Sequence, residues 1–458
     1  MVEPLDVEPI DVEPLHVEPI DIEGKLADPA TYEDVILRIF VKRRQRGLAF
    51  ADAERGVSYF DTAAQRRSLA RAIARAVTGG TYRPQPVDLW MLETRGKRRA
   101  AHMPNFTDHV LGSALYHLIS HNAQCYGLPG VYSYLPGVTN TTAMRAFADY
   151  VRTHRARSGP KAPPLYVLQS DFDHYGDDLP VGPGAPLWPI LREVVGLGSP
   201  HGRVSSATWE LITALARPTV RDSDGAEFTR IHGVAMGTPL VPVLSNLAVV
   251  PMDHAILRTD GIFYARYNDD FILAHPDLAA LRETDDRLDS VIAGLGVRRK
   301  MGKEVRTALS GHGLSCREAP QYRGGNRIDC LGLSVSHTGA ITVGPHRQRR
   351  FVARIARRID AASGALRTMP LGERARHLVA GVNVMLDVAS PFAVPGLSPL
   401  LDTTTDRGVL KDLDARIARK IVQVATGRSG VKGFRVLPPA VLYGELGLVS
   451  LVRLRNLR

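Results

Sequence analysis

Gly261-Ile262-Phe263-Tyr264-Ala265-Arg266-Tyr267-Asn268-Asp269-Asp270-Phe271-Ile272-Leu273-Ala274 consists of two β-prone runs on either side of a tight polar pair. The pattern reads as a hairpin with acids at its tip. A carboxylate pair projected from a turn between buried strands is costly unless something neutralises it. A divalent cation does so, and oxygen ligands of this kind suit magnesium. Adjacent aspartates also occur at Asp177-Asp178 and at Asp285-Asp286, the latter on a stretch read as an ordinary solvated helix. What separates Asp269-Asp270 from them is the hairpin setting.

A second acidic stretch follows the apolar strand Tyr166-Val167-Leu168, in Gln169-Ser170-Asp171-Phe172-Asp173-His174-Tyr175-Gly176. Asp171 stands where that strand leaves the core. Two-metal phosphoryl transfer needs carboxylates from separate elements converging on ions about 4 Å apart, one activating the attacking hydroxyl and one stabilising the leaving oxygen. Isolated acids at strand ends are also commonly solvated or capping, and sequence alone leaves open whether Asp171 and Asp269 meet. Between the two stretches lies Gly233-Val234-Ala235-Met236-Gly237-Thr238-Pro239-Leu240, followed by an apolar helical pattern. Thr238 suits an N-cap, Pro239 the first helical position, and Leu240, Val243, Leu244 and Leu247 the buried side. Gly233 and Gly237 either let backbone approach a base pair closely or simply form a flexible loop.

At 458 residues the chain is long enough for two to four subdomains. Its charge of +11 is uneven, because residues 1–24 hold eight acids and no Lys or Arg; without them the basic excess rises to 19. Such a field concentrates polyanions, of which nucleic acid is the commonest, although arginines can also serve solubility alone. Cys125, Cys316 and Cys330 lie far apart and form no CxxC pair, so neither a disulfide framework nor a zinc knuckle is readable, and a reducing cytoplasm fits. No apolar run approaches the roughly 20 residues that span a bilayer, which leaves no membrane role in view. The N-terminal pentapeptide repeat from Val2 to Asp21 places proline every fifth residue and reads as an extended, disordered acidic tail over 1–30. Residues 31–160 are mainly helical, 161–345 alternate short strands with helices, and 346–458 turn helical again, which makes the chain α+β. Phe351, Ile355 and Ile359 define one helical stripe beside a face of Arg349, Arg350, Arg354, Arg357 and Arg358.

The order of these stretches resembles a bacterial reverse transcriptase of the group II intron, retron or defence-associated kind. The resemblance begins at Gly80-Thr81-Tyr82-Arg83-Pro84-Gln85-Pro86 and runs through Arg95-Gly96-Lys97-Arg98-Arg99. It continues in Tyr134-Leu135-Pro136-Gly137, where the family usually has arginine in place of Leu135, then in Asp171, in the stretch from Gly233 to Leu247 and in Tyr267-Asn268-Asp269-Asp270, which matches the tyrosine-any-Asp-Asp box, and it covers about 79–345 in all. It implies a right-hand polymerase with fingers over 31–160, a palm of antiparallel sheet and helices over 161–345, and a helical thumb over 346–458. The implied activity is RNA-directed DNA polymerase (reverse transcriptase), a nucleotidyltransferase of the class used in DNA synthesis, antiviral defence among its settings. Its implied partners are an RNA template, a nucleic-acid primer, nucleoside triphosphates and a dedicated non-coding RNA. Two Mg2+ ions, with Mn2+ as a substitute, would sit at Asp171, Phe172, Asp269 and Asp270. Lys97 and Arg99 would grip the triphosphate, and Phe172, Tyr175, Gly176, Gly237, Pro239 and Tyr267 would surround the nucleotide. Lys303, with Lys300 as its rival, would protonate departing pyrophosphate, and Cys330-Leu331-Gly332-Leu333-Ser334 would form the primer-grip hairpin. Arg349, Arg350, Arg354 and Arg358 would track nucleic acid. The family carries a bulky aromatic steric gate where this chain has Gly176, which implies an open gate unless Tyr175 fills the space. An untemplated or protein-primed polymerase, an RNA-templated RNA polymerase and a catalytically silent RNA-binding scaffold stay open beside this reading.

Overall fold

A computed structural model describes residues 17–54, 56–94, 96–159, 162–300, 302–311 and 320–457, without the side chains of Thr94 and Lys97. The repeat up to residue 16, Arg95 and Cys316 therefore lie outside the described residues. Helices and strands alternate along the chain in a mixed α+β fold. The described residues form two compact units, one from those up to Ala143 with Val167–Val305, the other from Met144–Tyr166 with those from Arg306 onward.

The first unit opens with helices at Ile22–Ala27 and Pro29–Arg44, which pack against the long helix Phe106–Cys125, and with Arg66–Thr78, which packs against the first two. Local chemistry sets their starts. Asp28 accepts from the Ala30 amide at 2.9 Å with Pro29 next in line, and Asn105 accepts from the Asp108 amide at 2.7 Å. Where composition suggested a disordered tail, the chain from Val17 onward is held in place. Asn122 accepts from the Ile20 amide at 2.8 Å and donates to its carbonyl at 3.0 Å, while Ile22 and Leu26 are buried. Paired backbone and buried apolar surface outweigh the proline-rich local preference here.

Two larger sheets belong to this unit, beside the short pair Asp52–Glu54 and Val57–Ser58. In one, Val87–Thr94 pairs antiparallel with Lys97–Met103, and Thr219–Arg221 and Glu227–Thr229 extend the edge. In the other, Leu165–Asp173 lies between Asp270–His275 and the short Arg298–Arg299, with Phe263–Tyr267 beyond. Val167, Leu168, Ala265, Phe271, Ile272, Leu273 and Ala274 are all at most 1% exposed, so these strands are covered on both faces. At about 1.5–3 kcal/mol per large side chain buried, this sheet is a rigid base from which the acidic ends project. The Leu278–Gly294 helix packs over it through Leu281, Leu288 and Ile292. Asp285 on that helix, read from sequence as solvated, points inward instead and binds Arg299 at 2.6 Å, while Asp286 next to it is exposed. Burying Arg299 demands counter-charge, and Asp289 at 2.8 Å and Glu304 at 2.5 Å supply more of it.

The second unit holds a three-stranded sheet, Arg327–Cys330, Leu333–Ser336 and Ile341–Val343, whose first turn puts Leu331 and Gly332 at φ 53° and 76°. Both values are positive, as a two-residue hairpin turn of the primed type requires. Helices Pro345–Ser363 and Arg407–Thr426 bury Phe351, Ile355 and Ile359 and Leu410, Leu413, Ile417 and Ile421 respectively. Among the described residues, no helix is long and apolar enough to cross a membrane.

Candidate active site

The hairpin read from the sequence forms as expected: Phe263 pairs with Ala274 and Tyr267 with Asp270, leaving Asn268 and Asp269 as its two-residue tip. Asn268 sits at φ 61°, a left-handed conformation that asparagine tolerates better than most residues. Its side-chain amide donates to Asp269 Oδ1 at 2.9 Å. Beside this tip, the Asp171 carbonyl accepts from the Lys300 amide at 2.8 Å, and Lys303 Nζ stands 3.5 Å from Asp171 Oδ2. Lys300 Nζ is 3.4 Å from Asp173. The two lysines therefore divide between the two outward-facing acids of the strand end.

The carboxylates sense one another. Burial, then the charges of Asp269 and Asp171, push the Asp270 carboxyl up to about 6, with Lys303 opposing. The residue as a whole is exposed, so solvent weakens the burial contribution and the mutual repulsion is the firmer cause. Asp171 Oδ1 is buried with no hydrogen-bond partner. A carboxylate oxygen left unpaired next to two further carboxylates suits a cation. No group of three His, Cys, Asp or Glu side chains forms a ready cage among the described residues. Magnesium is commonly held by one or two carboxylates together with substrate phosphates rather than by an all-protein cage, and the donor set fits that mode.

The sign of the Asp270 shift gives an expected result. An unfolded aspartate titrates near 3.9, so the folded state binds this proton more tightly and the group costs stability as pH rises through about 6. In metal-free buffer, Asp270→Asn should stabilise the protein by about 1 kcal/mol above pH 6, after allowance for screening, and should change nothing below pH 4. Thermal melts across that range check it; equal shifts at both ends would refute it.

Beneath the tip lies a buried network that sequence reading passed over. Arg266 is fully buried and donates to Asp253 at 2.9 and 2.6 Å, to Asn246 Oδ1 at 3.2 Å and to the Asn268 carbonyl at 3.3 Å. Tyr264 adds a short hydrogen bond to Asp253. Ser133 Oγ receives the Asn268 amide at 2.8 Å and donates to Asn246 at 2.9 Å. Both backbone groups of Asn268 are thus clamped, and the direction of Asp269 follows from them. The available signal was an arginine inside an apolar strand; its partners at 133, 246 and 253 were not deducible from spacing. Gly130, at φ 75°, completes the clamp: an added Cβ would lie 2.4 Å from the Tyr264 ring. The Gly130 carbonyl receives the Arg266 amide at 2.7 Å.

Tyr134 stands 6.4 Å, ring to ring, from Tyr267. Phe172 and Tyr175 are buried and stacked at 4.9 Å, and the Tyr175 hydroxyl donates to the Ser245 carbonyl, so Tyr175 does not stand as an exposed wall. The space beside Gly176 is not empty either, for a Cβ there would meet Met236 Sδ at 3.0 Å. Gly237, at φ 111°, approaches protein backbone: its Cβ would lie 2.7 Å from the His102 carbonyl, while the His102 amide donates to Met236 at 2.7 Å. This pairing, with the turn bond from the Thr238 amide to the Ala235 carbonyl at 3.0 Å, keeps the chain out of the helix through Thr238. The helix consequently begins at Val241 with Pro242 in its first turn, not at Pro239, which packs against Gly112. Lys97 and Arg99 lie on the other sheet, Arg99 opposite Leu92; the Lys97 side chain is outside the described residues. In the second unit Arg354 donates to the Pro395 carbonyl at 2.7 Å and Arg358 to that of Phe392 at 3.0 Å, so both latch a loop, whereas Arg349 and Arg350 are exposed on the same helix.

No protein-family model matches the chain, and no curated protein does. Among solved structures it is similar to telomerase from Candida albicans in complex with a TWJ fragment of telomeric RNA, with 13% identity over 79% of this chain and 64% of that one and a TM-score of 0.47. It is also similar to apo telomerase from Candida tropicalis, with 11% identity over 77% and 64% and a TM-score of 0.45. The form of the latter lacking its C-terminal domain gives 14% identity over 57% and 56% and a TM-score of 0.43. The chain spans less than two thirds of the length of each of these telomerase chains.

Proposed function

We propose that this chain is an RNA-directed DNA polymerase that extends a primer at Asp171, Asp269 and Asp270, within the palm of a right-hand fold. The observation that carries the proposal is the unpaired, buried Asp171 Oδ1 beside a clamped hairpin tip, where burial and the charges of Asp269 and Asp171 raise the proton affinity of Asp270. Divalent ions held by Asp171, Asp269 and Asp270 would supply charge stabilisation for the attacking and leaving oxygens. The protein's own part is positional: the Arg266 network fixes Asp269, and the Lys300 amide fixes the Asp171 backbone. In the reaction the primer 3′-hydroxyl gives its proton to solvent and its oxygen forms a bond to the α-phosphorus, while the bond from that phosphorus to the pyrophosphate oxygen breaks. Lys303, whose Nζ is 3.5 Å from Asp171, would give that leaving group its proton. The test is extension of a DNA primer on an RNA template with magnesium and with chelator. Magnesium-dependent extension supports the reading; no incorporation of any nucleotide would overturn it.

A further inference from the structure

Several helices that carry arginines pair them with acids one turn away: Arg38 with Asp34, Arg287 with Glu283 and Arg416 with Asp412. The Arg66–Thr78 helix is different. Its 13 residues include Arg66, Arg67, Arg71 and Arg75 and no acid. Arg67, Arg71 and Arg75 follow at four-residue intervals, so they lie above one another on one face about 6 Å apart along the axis. All three are exposed. Like charges at this spacing destabilise a helix by about 0.2–0.5 kcal/mol per pair. Two arginines in the first turn also oppose the helix dipole, and no side chain caps that end. Arg67 has Glu33 at 3.9 Å, while Arg71 and Arg75 make hydrogen bonds to the carbonyls of Arg67 and Arg71 and no ion pair among the described residues.

The same face is concave. A groove of about 770 Å3 runs along the helix from Ser68 to Thr78, with Ala27 and Pro29 on its far side and Arg71 and Arg75 in its wall. No acidic residue lines it. Maintained like-charge repulsion, an open channel and evenly repeated guanidinium groups together point to a ligand whose negative charge repeats along its length.

We infer that this groove binds the sugar-phosphate backbone of a single nucleic-acid strand, with Arg71 and Arg75 on phosphates and Arg67 extending the track. Arginine suits the task because its planar fork meets phosphate oxygens in pairs. The choice of nucleic acid among polyanions rests on the polymerase reading, but the binding does not depend on catalysis.

The test is a salt titration of single-stranded RNA binding, by fluorescence anisotropy, with wild type, Asp269→Ala, Arg71→Ala/Arg75→Ala and a control, Arg416→Ala/Arg419→Ala. Arg71, Arg75 and Arg419 are exposed and Arg416 is half-buried, and circular dichroism of each variant checks that it folds. Losing two phosphate contacts should lower the slope of log affinity against log salt by about 1.4, roughly 25-fold in affinity at 0.1 M salt. Asp269→Ala and the control should keep the wild-type slope. An unchanged slope in Arg71→Ala/Arg75→Ala would overturn the inference, and so would an equal drop in the control, which would reduce the effect to net charge. If wild type fails to incorporate nucleotides yet the slope falls as stated, the polymerase reading fails and the groove stands.

Discussion

Asp171→Ala and Asp269→Ala should each lower nucleotide incorporation by about a thousandfold or more while leaving nucleic-acid affinity within a factor of two. Each removes a carboxylate that, with its ion, supplies several kcal/mol of charge stabilisation, and about 1.4 kcal/mol is a tenfold change in rate. Neither removes a cation that touches phosphate. Asp171→Ala also deletes the buried unpaired oxygen and releases Lys303 from its ion pair. Asp270→Asn should be milder, because its carboxyl is the one that neighbouring charge already pushes toward the neutral form. Single-turnover extension beside a binding titration separates the two effects. Incorporation by Asp269→Ala at the wild-type rate would remove the catalytic assignment.

The second large effect concerns Arg266 and Asp253, whose side chains are both fully buried. Arg266→Met alone leaves the Asp253 carboxylate uncompensated, and Asp253→Ala alone leaves the guanidinium so; either should cost about 3–5 kcal/mol in chemical denaturation. Arg266→Met/Asp253→Leu should recover most of that stability, since well-packed apolar side chains replace buried pairs at little cost. Activity should not return with it. The guanidinium also donates to the Asn268 carbonyl, and without that bond the tip that directs Asp269 is held from one side only. A double variant as active as wild type would show that the network serves folding alone.

The hairpin was legible because its signals are local: two β-prone runs and a tight polar pair between them, which form the strands and the two-residue tip. The meeting of Asp171 with Asp269 and Asp270 was suggested only by the order of motifs, since their separation in sequence says nothing about a shared sheet. What was missed is non-local. Asp285 looked solvated because its partner, Arg299, comes from a later strand. The helix expected from Pro239 starts at Val241 because His102 captures the preceding backbone. The segment from Val17 was expected to be free until Asn122, a hundred residues away, bound both its backbone groups. The gate position was read as bare because Gly176 lacks a side chain, while Met236, from another loop, stands over it.

Template dependence is the most direct measure of the central claim. The purified protein, magnesium and all four deoxynucleotides are given primed RNA templates of defined and different sequence, and the products are sequenced. The proposed activity yields DNA complementary to each template from the wild type and none from Asp269→Ala. Products whose sequence is the same whatever template is supplied, or equal products from both proteins, would contradict it.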